Sequence, residues 1–154
     1  MDRKPYISIV VITFNSEKTI QDCLSSVFRV SYPKESYEVV VVDAGSNDKT
    51  LKIVKDFPVD KVIIKEKALR GEARNIGVQE AKGEIVAMID SDLSSTNSLW
   101  LDTVVAKFND PDVAMVTGSG IVPLPKKNMN FLQRTFFFTS IHPDMLKEED
   151  QNSR

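Results

Sequence analysis

The chain has 154 residues, of which 42% are hydrophobic and 27% are charged, as is typical of one soluble globular domain. Its 20 basic and 22 acidic residues leave a formal charge of −2, which excludes the strongly basic surface that nucleic-acid binding normally requires. No run approaches the roughly 20 apolar residues of a membrane span, and the apolar N-terminal run lacks the cleavage site of a signal peptide. The one cysteine, Cys23, can form no internal disulfide. We therefore expect a cytoplasmic protein in which Cys23 is a buried core residue.

Strand-like and helix-like patterns alternate along the first 122 residues. Short β-branched runs such as Ile7 to Thr13 are typical of buried strands, and apolar residues spaced by three and four predict helices between them. This alternation predicts an α/β fold with a mostly parallel sheet flanked by helices. In chain order the sequence predicts strands at 7–13, 39–42, 61–64, 85–89 and 113–122, and helices at 17–28, 48–57, 71–81 and 98–108, with Asp48 and Ser98 as helix N-caps and Gly83 just past the third helix.

Three loops that follow predicted strands are rich in polar residues, and they begin near Asn15, Asp43 and Asp90. In parallel α/β sheets the ligand crevice lies beyond the carboxyl ends of the strands. We therefore expect these loops to converge on one binding site.

Asp90 and Asp92 lie one residue apart where a strand runs into a loop, so both carboxylates could reach one hard cation. Oxygen ligands suit Mg²⁺ or Mn²⁺, and a diphosphate would fill the remaining coordination positions. The alternative is a pair of turn or capping acids. The sequence favours the metal site because the other polar loops accompany it.

Asp43 follows a run of four valines and leaves the core at the edge of the predicted sheet. There its carboxylate could accept a hydrogen bond from a nucleobase N–H or a ribose hydroxyl. An Asx-turn before Gly45 is the alternative, and the sequence leaves both open.

Arg70 and Arg74 are four residues apart around Gly71, at the start of a predicted helix, whose free N–H groups favour anions. A nucleotide base or a diphosphate would suit this environment. The alternative is a solvated basic face paired with Glu66 or Glu72.

The remainder, residues 123–154, has a different character: an apolar, helix-like segment is followed by a charged end. We interpret it as either the start of an acceptor-side region or a frayed tail. His142 lies there, and the sequence implies no serine, cysteine or acid as its catalytic partner, so we expect a structural or surface role for it.

Four segments taken in order, ISIVVITFNSEKTIQDCLSSV, VVVVDAGSNDKT, LRGEARNIGVQEAKGE and IVAMIDSDL, closely resemble the donor-binding half of family 2 glycosyltransferases. The resemblance covers roughly Pro5 to Val122 and implies the GT-A fold, with a Rossmann-like, mostly parallel sheet. It also implies transfer of a sugar, with inversion, from a nucleotide-diphosphate donor to a sugar, polysaccharide or lipid-linked acceptor. A lipid-linked acceptor would bring the full-length protein to the inner face of the membrane.

The resemblance also implies roles for individual residues. Asp43 would contact the base, Asp90 the ribose and Asp92 the metal, with Asp90 as a second candidate metal ligand. The complete set of residues implied for nucleotide-sugar binding is Thr13, Phe14, Asn15, Glu17, Asp43, Arg70, Gly71, Arg74, Asp90 and Ser91.

The family's catalytic base belongs to an acceptor-binding half that would begin about where this chain stops. Glu149 and Asp150 follow Val122 too closely to supply it, so we expect the base to lie outside this chain. The resemblance favours an enzyme domain that transfers the sugar in its full-length form. The alternative is a truncated nucleotide-sugar-binding module without a catalytic base. An Asp-nucleophile phosphatase is disfavoured, because such enzymes carry their paired acids after the first strand, whereas the first strand here ends at Thr13-Phe14-Asn15.

Overall fold

The computed structural model describes residues 4–117, in which four strands form one sheet in the order β3-β2-β1-β4. Every strand pair is parallel, and Ile7 lies opposite both Tyr37 and Ile85. This confirms the predicted parallel α/β sheet. The elements are β1 (Ile7–Thr13), α1 (Ile20–Val27), a 3₁₀ turn (Lys34–Ser36), β2 (Tyr37–Asp43), α2 (Thr50–Val54), β3 (Lys61–Ile64), α3 (Arg70–Glu80), β4 (Ile85–Asp90) and α4 (Trp100–Lys107).

Two apolar layers sandwich the sheet because side chains alternate along each strand. Ile9 and Val39 point to the layer that α1, α2 and α4 cover, and Val10 and Val40 point to the layer beneath α3. Both central strands are buried at every residue. Burial on both faces explains why β1 and β2 are continuous apolar runs rather than alternating ones.

Two helices begin later than the sequence predicts, because polar groups near their predicted starts make other hydrogen bonds. α1 was predicted from Glu17 but begins at Ile20, since the N–H and carboxylate of Glu17 bond the loop after β2. α4 was predicted with Ser98 as its N-cap but begins at Trp100, and the side chain of Asn97 accepts the N–H of Leu99 instead.

α2 is shorter than predicted, and Asp48 is not its N-cap residue. The helix covers Thr50–Val54, after which the N–H groups of Asp56 and Phe57 bond carbonyls three residues back in a tight turn. Asp48 nevertheless accepts the N–H of Thr50 at 2.9 Å. It therefore bonds the start of α2 from one residue before the N-cap, which is Lys49.

Gly83 does not end α3 as a C′ residue. The helix ends at Glu80 and is followed by Ala81 in an extended conformation. Gly83 instead lies so close to β1 that a Cβ there would stand 2.3 Å from the backbone nitrogen of Ser8, and its N–H donates to the Ser8 hydroxyl at 2.8 Å. The small residue therefore serves a close approach between chain segments.

The predicted last strand, 113–122, does not form in its described portion. Residues 113–117 are irregular, and Met115 is 78% exposed. Apolar composition alone does not make a strand when no neighbouring strand pairs with it. The rest of that segment and His142 lie outside the described residues.

Candidate functional site

A cleft of about 370 Å³ opens where the sheet's strands end. The register places Thr13 beside Asp43 and Ile12 beside Asp90, so the ends of β1, β2 and β4 meet at one edge, as expected. The cleft is lined by Ile12, Thr13, Phe14, Ser16, Ala44, Lys67, Ala68, Arg70, Ala73, Asp90, Ser91 and Asp92.

Two of the predicted binding residues, Asn15 and Glu17, join the loop after β1 to the loop after β2. Asn15 accepts the N–H of Asn47 at 2.9 Å, and Glu17 accepts the N–H of Lys49 at 3.1 Å. In return, the N–H of Asn15 donates to the Ser46 hydroxyl at 2.8 Å. Neither side chain lines the cleft. In this structure these side chains hold the cleft's loops together.

Asp43 is fully buried and forms the Asx-turn that the sequence left as an alternative. One of its oxygens accepts the N–H groups of Gly45 and Ser46, at 2.9 and 2.8 Å, and the other accepts the Ser46 hydroxyl. Gly45 has φ +94, a left-handed conformation that other residues rarely adopt. The carboxylate thus shapes the loop, and a direct contact with a base stays a prediction.

Arg74 binds Asp90 and neither of the glutamates considered from the sequence. Its terminal nitrogen lies 2.8 and 3.0 Å from the two carboxylate oxygens. Glu72 instead pairs with Lys65. The ion pair holds Asp90 at the cleft and offsets its negative charge. Arg74 itself does not line the cleft.

Asp92 is an exposed carboxylate at the cleft, and it makes no hydrogen bond or ion pair with residues 4–117. Arg70 is likewise an exposed, unpaired cation within that range. The cleft therefore offers one carboxylate and one guanidinium that no described side chain neutralises.

Thr13 contributes an unsatisfied polar group. Its side-chain oxygen is buried and has no hydrogen-bond partner within the described part of the chain. Buried hydroxyls are nearly always bonded, so each exception requires an explanation. Beside it, the hydroxyls of Ser16 and Ser91 share a hydrogen bond at 2.7 Å.

Cys23 lies beside the end of β4, near Asp90, and is a buried core residue, as expected. Burial raises the pKa of its thiol to about 12, and the charges of Asp92 and Asp90 add to the rise. The thiol is protonated at neutral pH and is not a candidate nucleophile.

Six of the predicted site residues line the cleft, namely Thr13, Phe14, Arg70, Asp90, Ser91 and Asp92. Their roles in ligand binding stay predictions. Gly71 does not line it, and a side chain there would meet no atom within 4 Å. Sequence reasoning missed Ser16 and Lys67. Nothing in the local sequence indicates the left-handed conformation of Lys67, φ +57, which follows from its turn.

Sheet order, strand-end acids and a cleft between them define a GT-A domain, and similarity to known proteins agrees. Residues 8–153 match the family described as glycosyl transferase family 2. The chain therefore belongs to glycosyl transferase family 2. Membership of this family argues against the Asp-nucleophile phosphatase considered from the sequence.

Glycosyltransferase AglE of Haloferax volcanii is 35% identical over 120 residues, which are 75% of this chain and 39% of AglE. The structure of S. aureus TarS residues 1–349 in complex with UDP-GlcNAc gives a TM-score of 0.62 at 34% identity and covers 68% of this chain and 31% of that TarS chain. Mannosyltransferase PcManGT from Pyrobaculum calidifontis, in complex with GDP-Man and Mn²⁺, gives 0.64 at 30% identity over 72% of this chain and 34% of PcManGT. This chain thus spans 39% of the length of AglE and 16% of the length of TarS.

Proposed function

We propose that this chain binds a nucleotide-diphosphate sugar together with Mg²⁺ or Mn²⁺, as the donor-binding part of an inverting glycosyltransferase. The unsatisfied side-chain oxygen of Thr13 carries the proposal. Thr13 lines the cleft, and a nucleotide bound there would supply the hydrogen-bond partner that residues 4–117 do not. Nucleotide sugars bound to TarS and PcManGT, which share the fold, support the same ligand class.

Asp92 is the residue to hold the metal ion. Its carboxylate is unpaired in the described part of the chain, whereas both oxygens of Asp90 bind Arg74. Residues 4–117 contain no group of three or more His, Cys, Asp or Glu residues arranged to hold a metal. One carboxylate still fits Mg²⁺ or Mn²⁺, which bind through one or two carboxylates and take phosphate oxygens and water as further ligands.

The remaining polar groups of the cleft orient the donor. Arg74 holds Asp90 in place, so that an Asp90 oxygen can accept a hydrogen bond from a ribose hydroxyl. Arg70 brings a free positive charge for the diphosphate. A metal ion held by Asp92 would act as a Lewis acid and offset the negative charge of the diphosphate.

Transfer with inversion also needs a base that deprotonates the acceptor hydroxyl. We assign no residue of the described part to that role.

We propose residues 1–122 as the donor-binding domain, and residues 123–154 as the start of the acceptor side. A sugar, a polysaccharide or a lipid-linked sugar would be the acceptor, on the cytoplasmic side of the membrane. No helix among residues 4–117 is long and apolar enough to cross a membrane.

Calorimetric titration of the 154-residue chain with UDP and GDP, and with their sugars, tests the proposal. We expect binding of at least one nucleotide that strengthens when Mn²⁺ is present. Absence of any metal-dependent binding would contradict it.

A second candidate is a nucleotide-sugar-binding module that catalyses no transfer. Product formation from a bound donor and a panel of acceptors separates the two. Binding without turnover supports the module, and turnover by the chain alone supports the enzyme.

A further inference from the structure

Lys67 lies in the turn between β3 and α3 and lines the cleft in a left-handed conformation, φ +57. The turn is tied to β2 and its loop, because the N–H of Lys65 donates to the Asp43 carbonyl at 2.8 Å and that of Lys67 to the Ala44 carbonyl at 3.1 Å. Glycine or asparagine adopts this conformation more readily than lysine. The backbone conformation therefore does not explain a lysine at this position, whereas a role of the lysine side chain would.

Sheet order places Lys67 and Asp92 at opposite sides of the cleft. The strands run β3-β2-β1-β4, so the turn after β3 lies on one flank and the loop after β4 on the other, with Thr13 at the end of β1 between them. If Asp92 binds the metal and the diphosphate, as proposed above, the flank that holds Lys67 receives the other end of the nucleotide, which is the base.

The lining at the Lys67 flank suits a base. Ala44 and Ala68 provide small apolar surface against which a flat ring can pack. Lys67 is exposed and has no hydrogen-bond or ion-pair partner for its ammonium group within residues 4–117. An ammonium group has three donors and no acceptor.

We propose that Lys67 is a specificity-determining residue that donates a hydrogen bond to an exocyclic carbonyl of the donor's base. Uracil and guanine carry a carbonyl where cytosine and adenine carry an amino group. A donor-only side chain bonds the carbonyl and leaves the amino group unpaired, so it favours UDP over CDP and GDP over ADP. This inference rests on the proposed donor-binding function.

The test measures the affinity of the 154-residue chain for UDP, CDP, GDP and ADP with Mn²⁺ present. We expect Lys67→Met to lower the UDP/CDP or the GDP/ADP affinity ratio by about tenfold, the effect of one charge-assisted hydrogen bond. Lys67→Arg should retain most of the ratio. Lys67→Gly should lose the ratio while keeping or raising the thermal midpoint of unfolding, because glycine relieves the left-handed backbone.

Lys65→Met is the matched control, since Lys65 is exposed, pairs with Glu72 and does not line the cleft. It should leave the ratios unchanged. If Lys67→Met weakens all four nucleotides by the same factor, Lys67 acts on the phosphates and the inference is wrong. Unchanged ratios in Lys67→Met, or no discrimination by the wild type, also overturn it. A wild type that binds no nucleotide refutes the proposed function itself.

Discussion

Thr13 ends β1 with a buried hydroxyl that has no partner among the described residues. An unsatisfied buried polar group costs roughly 1–3 kcal/mol. A nucleotide bound in the cleft would remove this cost by accepting or donating one hydrogen bond. The group is thus better suited to a ligand than to the fold.

Thr13→Val replaces the hydroxyl by a methyl group of similar shape. We expect the free energy of unfolding to stay unchanged or rise, while the affinity for nucleotide with Mn²⁺ falls about fivefold to tenfold, the worth of one hydrogen bond. Denaturant unfolding and calorimetry measure the two effects.

Thr50→Val is the control for this substitution, because the buried Thr50 hydroxyl accepts the N–H of Ser16 at 2.7 Å. Its loss should destabilise the protein by about 1–3 kcal/mol. If Thr13→Val destabilises as much as Thr50→Val, the Thr13 hydroxyl has a structural partner and our account of it is wrong.

The thiol of Cys23 can be used to probe the core beside the end of β4. Burial, followed by the charges of Asp92 and Asp90, raises its pKa to about 12, and the residue is 1% exposed. At pH 8 we expect a thiol reagent to modify the folded chain only as fast as the chain opens, and the denatured chain at once. Rapid modification of the folded chain, followed by absorbance, would contradict the assigned burial.

At the scale of elements, α3 packs closely on the sheet because Gly77 has no side chain. A Cβ on Gly77 would lie 2.3 Å from Cγ1 of Val10, a stiff β-branched residue in the centre of β1. The helix that carries Arg70 and Arg74 is thereby held against the strands that carry the cleft.

Gly77→Ala should lower the free energy of unfolding by about 1–3 kcal/mol, because overpacking outweighs the gain of roughly 1 kcal/mol in helix propensity. Gly71→Ala, in the same helix, meets no atom within 4 Å and should be neutral or stabilising. Denaturant unfolding of both variants decides the matter. Equal effects of the two substitutions would show that propensity, not packing, governs this helix.

The sequence predicted the strands better than the helix ends. Continuous β-branched runs such as Val39 to Val42 have few alternative structures, and β1 and β3 have the predicted bounds. The helix ends depend on contacts between distant residues, such as Glu17 with Lys49, and local spacing does not contain these contacts. The same applies to Gly83, whose neighbour Ser8 is far away in sequence.

The candidate site shows the same division. Residues at strand ends, such as Asp90 and Asp92, could be assigned to the cleft because parallel strands end at one edge. From the sequence, Asn15 and Glu17 could not be distinguished from ligand-binding residues. Only the folded structure shows that their side chains accept the backbone N–H groups of Asn47 and Lys49 in the loop after β2. Arg74 was expected at the site, but its partner, Asp90, was not identified.

At the scale of the whole molecule, the cleft divides its charges between two flanks. Asp92 lies on the β4 side, and Lys67 lies on the β3 side. Arg70 stands at the start of α3, and the Arg74–Asp90 pair is internally compensated. A bound divalent ion at Asp92 would make the cleft strongly positive, which suits a diphosphate anion. Membership of glycosyl transferase family 2 is consistent with that ligand.

The central claim is that Asp92 binds a divalent ion that in turn holds the nucleotide diphosphate. The most direct test is electron paramagnetic resonance of Mn²⁺ added to the chain with UDP or GDP. Asp102→Asn serves as a charge-matched control, because Asp102 pairs with Lys4 and does not line the cleft. We predict bound Mn²⁺ in the wild type and in Asp102→Asn, and its loss in Asp92→Asn. Equal Mn²⁺ binding by the wild type and Asp92→Asn would contradict the account.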